Sequence, residues 1–210
     1  MKIYDISMAI APDMQVYKNR TENKPKMQVN RDFGSSNAYE SALAMHMHTG
    51  THMDAPLHMI EGGKTIDQTD LSKVVTWCKV LDLTSVNDYI TKSDLQNKQI
   101  EPGDFVLLKT RNSLQDEFDS DYVYLEKSGA QFLADLGIIG VGIDSLGIER
   151  AQPNHETHIA LLGNDIPILE GLRLAHIDEG RYFLIAAPLS IAGAEAAPVR
   201  ALLIDENPMA

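Results

Sequence analysis

The stretch Ser128-Gly129-Ala130-Gln131-Phe132-Leu133-Ala134-Asp135-Leu136-Gly137-Ile138-Ile139-Gly140-Val141-Gly142-Ile143 decides the fold class. Ser128 stands where an N-cap oxygen would satisfy the free N–H groups of a helix start. Residues 130–136 can then run as a helix, and Gly137 follows as a helix-terminating residue. Ile138-Ile139-Gly140-Val141 is apolar on both faces, as a strand covered on both sides requires. A helix that runs straight into such a strand is the unit of an α/β fold with a central, partly parallel sheet.

Working outward, the same alternation continues. Strands are expected at 2–8, 39–48, 78–83, 105–110, 138–143, 182–187 and 199–204. Helices are expected at 71–76, 93–98, 128–136 and 155–161, with Ser93 as a second N-cap. Residues 18–36 are polar and without periodicity, which predicts a long loop. No repeat, low-complexity tract or linker interrupts the chain, so residues 1–210 read as one domain.

Composition narrows the function. Among 210 residues, 18 Lys and Arg face 30 Asp and Glu, a formal net charge of −12. Such a surface repels nucleic-acid phosphates, so no nucleic-acid partner is expected. No apolar run approaches the ~18 residues of a membrane span. The opening ten residues lack the apolar core of a signal peptide. The single cysteine, Cys78, can form neither an internal disulfide nor a Cys-rich metal site. These features predict a cytoplasmic protein that handles a small molecule, with no membrane partner.

The chemistry concentrates in His46-Met47-His48-Thr49-Gly50-Thr51-His52-Met53-Asp54-Ala55-Pro56-Leu57-His58, which holds four of the seven histidines. His46 and His48 are two apart and would share one side of a strand. Gly50 permits a sharp or left-handed bend. His52 and Asp54 are again two apart, so an extended backbone points both the same way. Strand, bend and second extended piece can bring His48, His52 and Asp54 onto one ion. Imidazole plus carboxylate suits zinc, manganese or iron(II), and two imidazoles with one carboxylate leave positions open for water.

A second segment, His155-Glu156-Thr157-His158, would place both histidines on one helix face. Glu170 lies between apolar neighbours in Ile168-Leu169-Glu170-Gly171-Leu172, where burial is expensive unless the carboxylate is paired or metal-bound. His155 reads as a neighbour of the site rather than a ligand. Asp144-Ser145 ends a buried strand, where ligand-facing loops begin in α/β sheets.

The run from His48 to His58 resembles the H-x-G-T-H-x-D-A-P-x-H signature of the cyclase family, which holds arylformamidases and isatin hydrolases. His158 and Glu170, the Tyr4-Asp5-Ile6-Ser7 opening and the 187–201 ending also resemble that family, so the likeness spans nearly the whole chain. The resemblance implies a swivelling β/α/β domain with a mixed central sheet. It implies two divalent ions, zinc first and manganese second. One would take His48, His52 and Asp54; the other would take Asp54 as a bridge with His158 and Glu170. His58 would be the general acid/base. The implied reaction is hydrolysis of a small-molecule amide C–N bond by metal-bound hydroxide, with N-formylkynurenine as one substrate. Alternatives are an isatin-like lactam, another cyclic amide, a carbamate or a lactone, and then a metal-binding protein without turnover. A homo-oligomer, dimer or tetramer, is implied too, because relatives close the pocket wall with a neighbouring subunit. The family often carries Pro-Gly-Asp-x-Pro after its first strand, where this chain has Val16-Tyr17-Lys18-Asn19-Arg20. That segment borders the pocket, so the change bears on substrate choice rather than metal chemistry.

Overall fold

The strand Phe105–Lys109 is buried along nearly its whole length and feeds two cores at once. Side chains alternate along a strand. Phe105 and Leu107 join one apolar cluster with Cys78, Val80, Leu169 and Leu203. Val106 and Leu108 join another with Val141, Ile143, Leu133 and Leu161 on the opposite face. A sheet covered on both faces is the arrangement the apolar runs predict.

The computed structural model describes residues 1–115 and 117–205. Its strands are β1 (Lys2–Asp5), β2 (Lys26–Arg31), β3 (Glu40–Ala44), β4 (His52–Asp54), β5 (Val75–Asp82), β6 (Tyr89–Ile90), β7 (Phe105–Lys109), β8 (Tyr124–Leu125), β9 (Gly140–Ile143), β10 (Ile168–Glu170), β11 (Gly180–Ile185), β12 (Ala196–Pro198) and β13 (Leu202–Asp205). Its α-helices are α1 (Leu71–Val74), α2 (Lys92–Leu95), α3 (Lys127–Leu136) and α4 (Glu156–Leu162). Nine strands form one mixed sheet in the order β1-β13-β11-β5-β7-β9-β10-β4-β12. The run β5-β7-β9-β10 is parallel and the flanking pairs are antiparallel. The fold is therefore α/β with a mixed central sheet, as expected.

Several boundaries differ from the sequence expectation. The helix expected from Ser128 starts earlier, with Glu126 as its cap; the Glu126 carboxylate accepts from the Ser128 N–H at 2.8 Å. Gly137 closes this helix in the left-handed region, φ 79°. The helix expected from Ser93 is capped by Thr91, whose N–H and hydroxyl both donate to the Asp94 carboxylate. Helix α1 ends at Val74 because the β-branched Val75-Thr76 pair continues as strand β5. The strand expected at 199–204 starts only at Leu202, as β13, and β12 precedes it over Ala196–Pro198.

The 18–36 segment is not a loop throughout. It holds two turns of 3-10 helix and then β2, which pairs with β3 as a separate antiparallel ribbon. Every residue of both strands is exposed, so the alternation of Met27 and Val29 with Lys26, Gln28 and Asn30 marks no buried face and the segment reads as polar loop. Strand β3 stops at Ala44, so His46 and His48 lie in the following turn and not on one strand face.

Candidate metal centre

Strand β4 carries the centre. His52 and Asp54 project to one face while Met53, between them, enters the core cluster with Phe105 and Leu169. Antiparallel pairing sets Glu170 of β10 directly opposite His52, and directly opposed residues share a face. His158 comes from the buried side of α4, together with Thr157, Leu161 and Leu162. The Gly50 bend delivers His48 from the preceding turn.

Two glycines make this convergence possible. Gly50 (φ 64°) and Gly171 (φ 69°) both adopt left-handed backbone, which side chains on Cβ disfavour. A Cβ on Gly171 would lie 2.5 Å from the Gly50 carbonyl oxygen. Thr51 locks the junction: its hydroxyl donates to the Gly171 carbonyl at 2.6 Å and accepts from the Met8 N–H at 2.7 Å.

Asp54 divides its oxygens between two sets of imidazoles. Oδ1 lies 2.9 Å from His48 Nδ1 and 3.6 Å from His52 Nε2, whereas Oδ2 lies 3.8 Å from His158 Nε2. Glu170 spans the same two sets, with Oε2 3.3 Å from His52 Nε2 and Oε1 3.6 Å from His158 Nε2. Glu170 Oε1 also accepts from the Ile148 N–H at 2.6 Å. The five side chains expected as ligands therefore meet at one place. Bonds of ~2.0–2.1 Å put the ligand atoms of a tetrahedral zinc about 3.3 Å apart, close to these separations.

The donor set fits a cation on a second count. Both Asp54 oxygens and His52 Nε2 are fully buried without a hydrogen-bond partner of acceptable geometry, an expensive state for polar atoms unless an ion fills it. The electrostatics agree. Burial pulls the His52 imidazole down, but the Glu170 and Asp54 carboxylates outweigh it and raise its pKa to about 9. Burial likewise opposes His158, which Glu149, Glu170 and Asp54 raise to about 10. Against its own burial, Glu170 is held well below the usual carboxylate range by the two imidazoles. The cluster demands positive charge, and a divalent ion would replace those protons, because a ligating imidazole is neutral.

His58 sits beside the expected ligands rather than among the strands, after a turn that starts at Pro56. Its ring centroid is 4.4 Å from that of His48 and 5.5 Å from that of His158. Burial lowers its pKa below the ordinary histidine value. Its ring nitrogens are close enough to share an ion with His48 and Asp54.

Three further residues belong to the site. Buried Glu149 lies 2.8 Å from His158 Nδ1 and accepts from the Thr157 N–H at 3.0 Å. Glu149 Oε1 is also 2.7 Å from His155 Nδ1, which draws His155 to the cavity wall. Glu195 Oε1 stands 3.4 Å from His48 Nε2. Neither acid has a spacing that links it to the histidine motif. The only signal for Glu149 is its place just past the buried strand β9.

The centre floors a cavity of about 380 Å³, the size of a small-ligand site. Val16, Tyr17, Leu146 and Met59 supply apolar wall, and Phe118 packs edge-on against Tyr17 at 5.4 Å. Asp144 does not line this cavity. It turns inward and accepts from Thr110 N–H and Oγ1, Asn112 Nδ2, and Ser113 N–H and Oγ. It braces the loops behind the site, and burial raises its carboxyl to about 6 against those donors.

Comparison with known proteins follows the same lines. The family model described as "Putative cyclase" matches residues 4–150, more than half of the 210-residue chain. A protein of Salinibacter ruber named kynurenine formamidase is 33% identical over 208 residues, 98% of each chain. A solved structure described as a predicted metal-dependent hydrolase from Bacillus stearothermophilus is 49% identical, with TM-score 0.89 over 96% of this chain and 97% of that one. Isatin hydrolase A from Ralstonia solanacearum, 22% identical, shares the fold with TM-score 0.83 over 97% and 92% of the two chains.

Proposed function

This chain belongs to the cyclase family and is a metal-dependent hydrolase; we propose that it cleaves the amide C–N bond of a small N-formyl aryl amine, with N-formylkynurenine the first compound to test. The observation that carries this reading is the buried Asp54 carboxylate, whose two oxygens lack a well-aligned hydrogen bond and face separate imidazole sets on the cavity floor. The relative named kynurenine formamidase supports the choice of substrate.

In this reading His48, His52 and Asp54 hold one divalent ion, and Asp54, His158 and Glu170 hold a second, zinc ahead of manganese. Bound there, such ions would lower the pKa of water toward ~7 and polarise the carbonyl oxygen. His58 does the proton work. Its lowered pKa keeps a ring nitrogen free near neutral pH to take a proton from the attacking water. The same nitrogen then returns that proton to the amine nitrogen as the C–N bond breaks. Tyr17, Val16 and Leu146 hold the aryl body and exclude water. A flat lactam of the isatin type would meet the same Tyr17 wall, which keeps that substrate as the second reading.

We also read residues 1–210 as one domain of a cytoplasmic homo-oligomer, dimer or tetramer. Met27, Val29 and Leu43 lie on one face of the β2–β3 ribbon and are exposed, a surface suited to a second copy. A sedimentation mass of one chain at micromolar concentration would contradict this.

The test of function is hydrolysis of N-formylkynurenine and of isatin by protein loaded separately with zinc and with manganese. Metal-dependent release of formate supports the formamidase. Ring opening of isatin alone would select the lactam reading, and turnover of neither would discard both substrates.

A further inference from the structure

The cavity has a floor that the chemistry uses and a mouth that it does not. At the mouth stand Lys18 and Asn23, and Lys18 is the only Lys or Arg lining the cavity among the described residues. Neither side chain has a hydrogen bond or ion pair with another described residue; the Lys18 ammonium rests 5.1 Å from the Tyr17 ring centroid. Among the described residues the Lys18 ammonium thus keeps its N–H donors available at the cavity wall.

The backbone beneath it is strained. Lys18 (φ 56°) and Asn19 (φ 51°) are consecutive non-glycine residues in the left-handed region. A lysine is disfavoured in that region, more so than an asparagine, and strain of this kind gathers at ligand sites. Asn19 Nδ2 reaches the Phe118 carbonyl at 3.5 Å and ties this turn to the residue that buttresses Tyr17. Tyr17 therefore presents its ring to the cavity while Lys18 presents a cation at the same wall.

We infer that Lys18, with the Asn23 carboxamide, forms a carboxylate subsite at the cavity mouth, so that the substrates are aryl amides bearing an anionic tail. This rests on the aryl-formamide reading above and deepens it. The scissile group lies on the His48–Glu170 floor, the ring lies against Val16 and Tyr17, and the tail carboxylate accepts from the Lys18 ammonium and Asn23 N–H. A charge-assisted hydrogen bond of this type distinguishes a carboxylate from a neutral carboxamide of the same shape.

The test is a matched pair, 3-(2-formamidophenyl)propanoate and 3-(2-formamidophenyl)propanamide, with formate release as the readout. The wild type should prefer the propanoate in kcat/KM. Lys18→Met should cut the propanoate-to-propanamide ratio about tenfold, through KM. Lys18→Arg should keep the preference, and 0.5 M salt should weaken it. An unchanged ratio in Lys18→Met would overturn the subsite. If the wild type hydrolyses neither compound, the aryl-formamide reading is what fails. The subsite is then read by calorimetry of 3-phenylpropanoate and 3-phenylpropanamide on metal-loaded protein. Tighter propanoate binding that Lys18→Met abolishes supports the subsite, and equal effects on both ligands refute it.

Discussion

Gly171→Ala should damage the metal centre without touching a ligand. Gly171 follows Glu170 and holds φ 69°, where an alanine costs ~1–2 kcal/mol. The new Cβ would sit 2.5 Å from the Gly50 carbonyl oxygen and 2.9 Å from its carbon. Reaching even 3.0 Å requires about 0.5 Å of separation, and forced overpacking of this kind costs ~1–3 kcal/mol. The entropy that alanine removes from the unfolded chain offsets about 0.4–1 kcal/mol. The net loss is about 1–4.6 kcal/mol, or roughly 2–18 °C in Tm for a chain of this size. The displacement also moves Glu170 and the Gly50–His52 turn apart, because Thr51 bridges Met8 and Gly171 by hydrogen bonds of 2.7 and 2.6 Å. Metal affinity should fall with stability. Thermal melts of metal-free and metal-loaded protein, with chelator competition, read both quantities. A variant with wild-type Tm and wild-type metal affinity would refute the account of this junction.

Other substitutions separate the roles. His58→Ala should retain metal, measured by plasma emission after dialysis, yet lose at least a hundredfold in kcat, the low end of general acid–base contributions; unchanged kcat would remove His58 from proton transfer. Glu149→Ala takes away the carboxylate 2.8 Å from His158 Nδ1, and chelator competition should show a roughly 10–100-fold loss of metal affinity. Asp144 gives a pH signature. Its carboxyl is raised from 3.8 to about 6, so the native state holds a proton that the unfolded state has released. Its stabilising contribution is full below pH 3.8 and is lost as pH rises through 6, on the order of 3 kcal/mol in all. Urea titrations from pH 4 to 7 should show that slope in the wild type and its absence from Asp144→Asn; parallel slopes would exclude Asp144 as the source.

How much of this was legible depended on whether local periodicity or distant pairing set each feature. His52 and Asp54 share a face because strand side chains alternate, and Gly50 bends because only glycine takes that backbone easily, so both can be read from thirteen adjacent residues. Glu170 stood out because apolar neighbours make an unpaired carboxylate expensive there. Its partner could not be read, since β10–β4 register alone sets it opposite His52. Glu149 and Glu195 escaped for the same reason: each reaches its histidine through tertiary folding. Asp144 was misplaced because the end of a parallel strand favours ligand-facing residues, whereas here five donors turn the carboxylate inward. Strand β2 reads as loop because its short Met27/Val29 alternation sits in a polar stretch with neither face buried, whereas β3 falls within the strand expected at 39–48.

The central claim is that Asp54 joins two cation sites through its two oxygens. The direct measurement is the metal-to-protein ratio, after zinc loading and exhaustive dialysis, of the wild type and of Asp54→Ala. The account predicts about two ions per chain in the wild type and a loss of both in the variant, with folding checked by circular dichroism. A folded Asp54→Ala protein that still holds its full complement of zinc would contradict it.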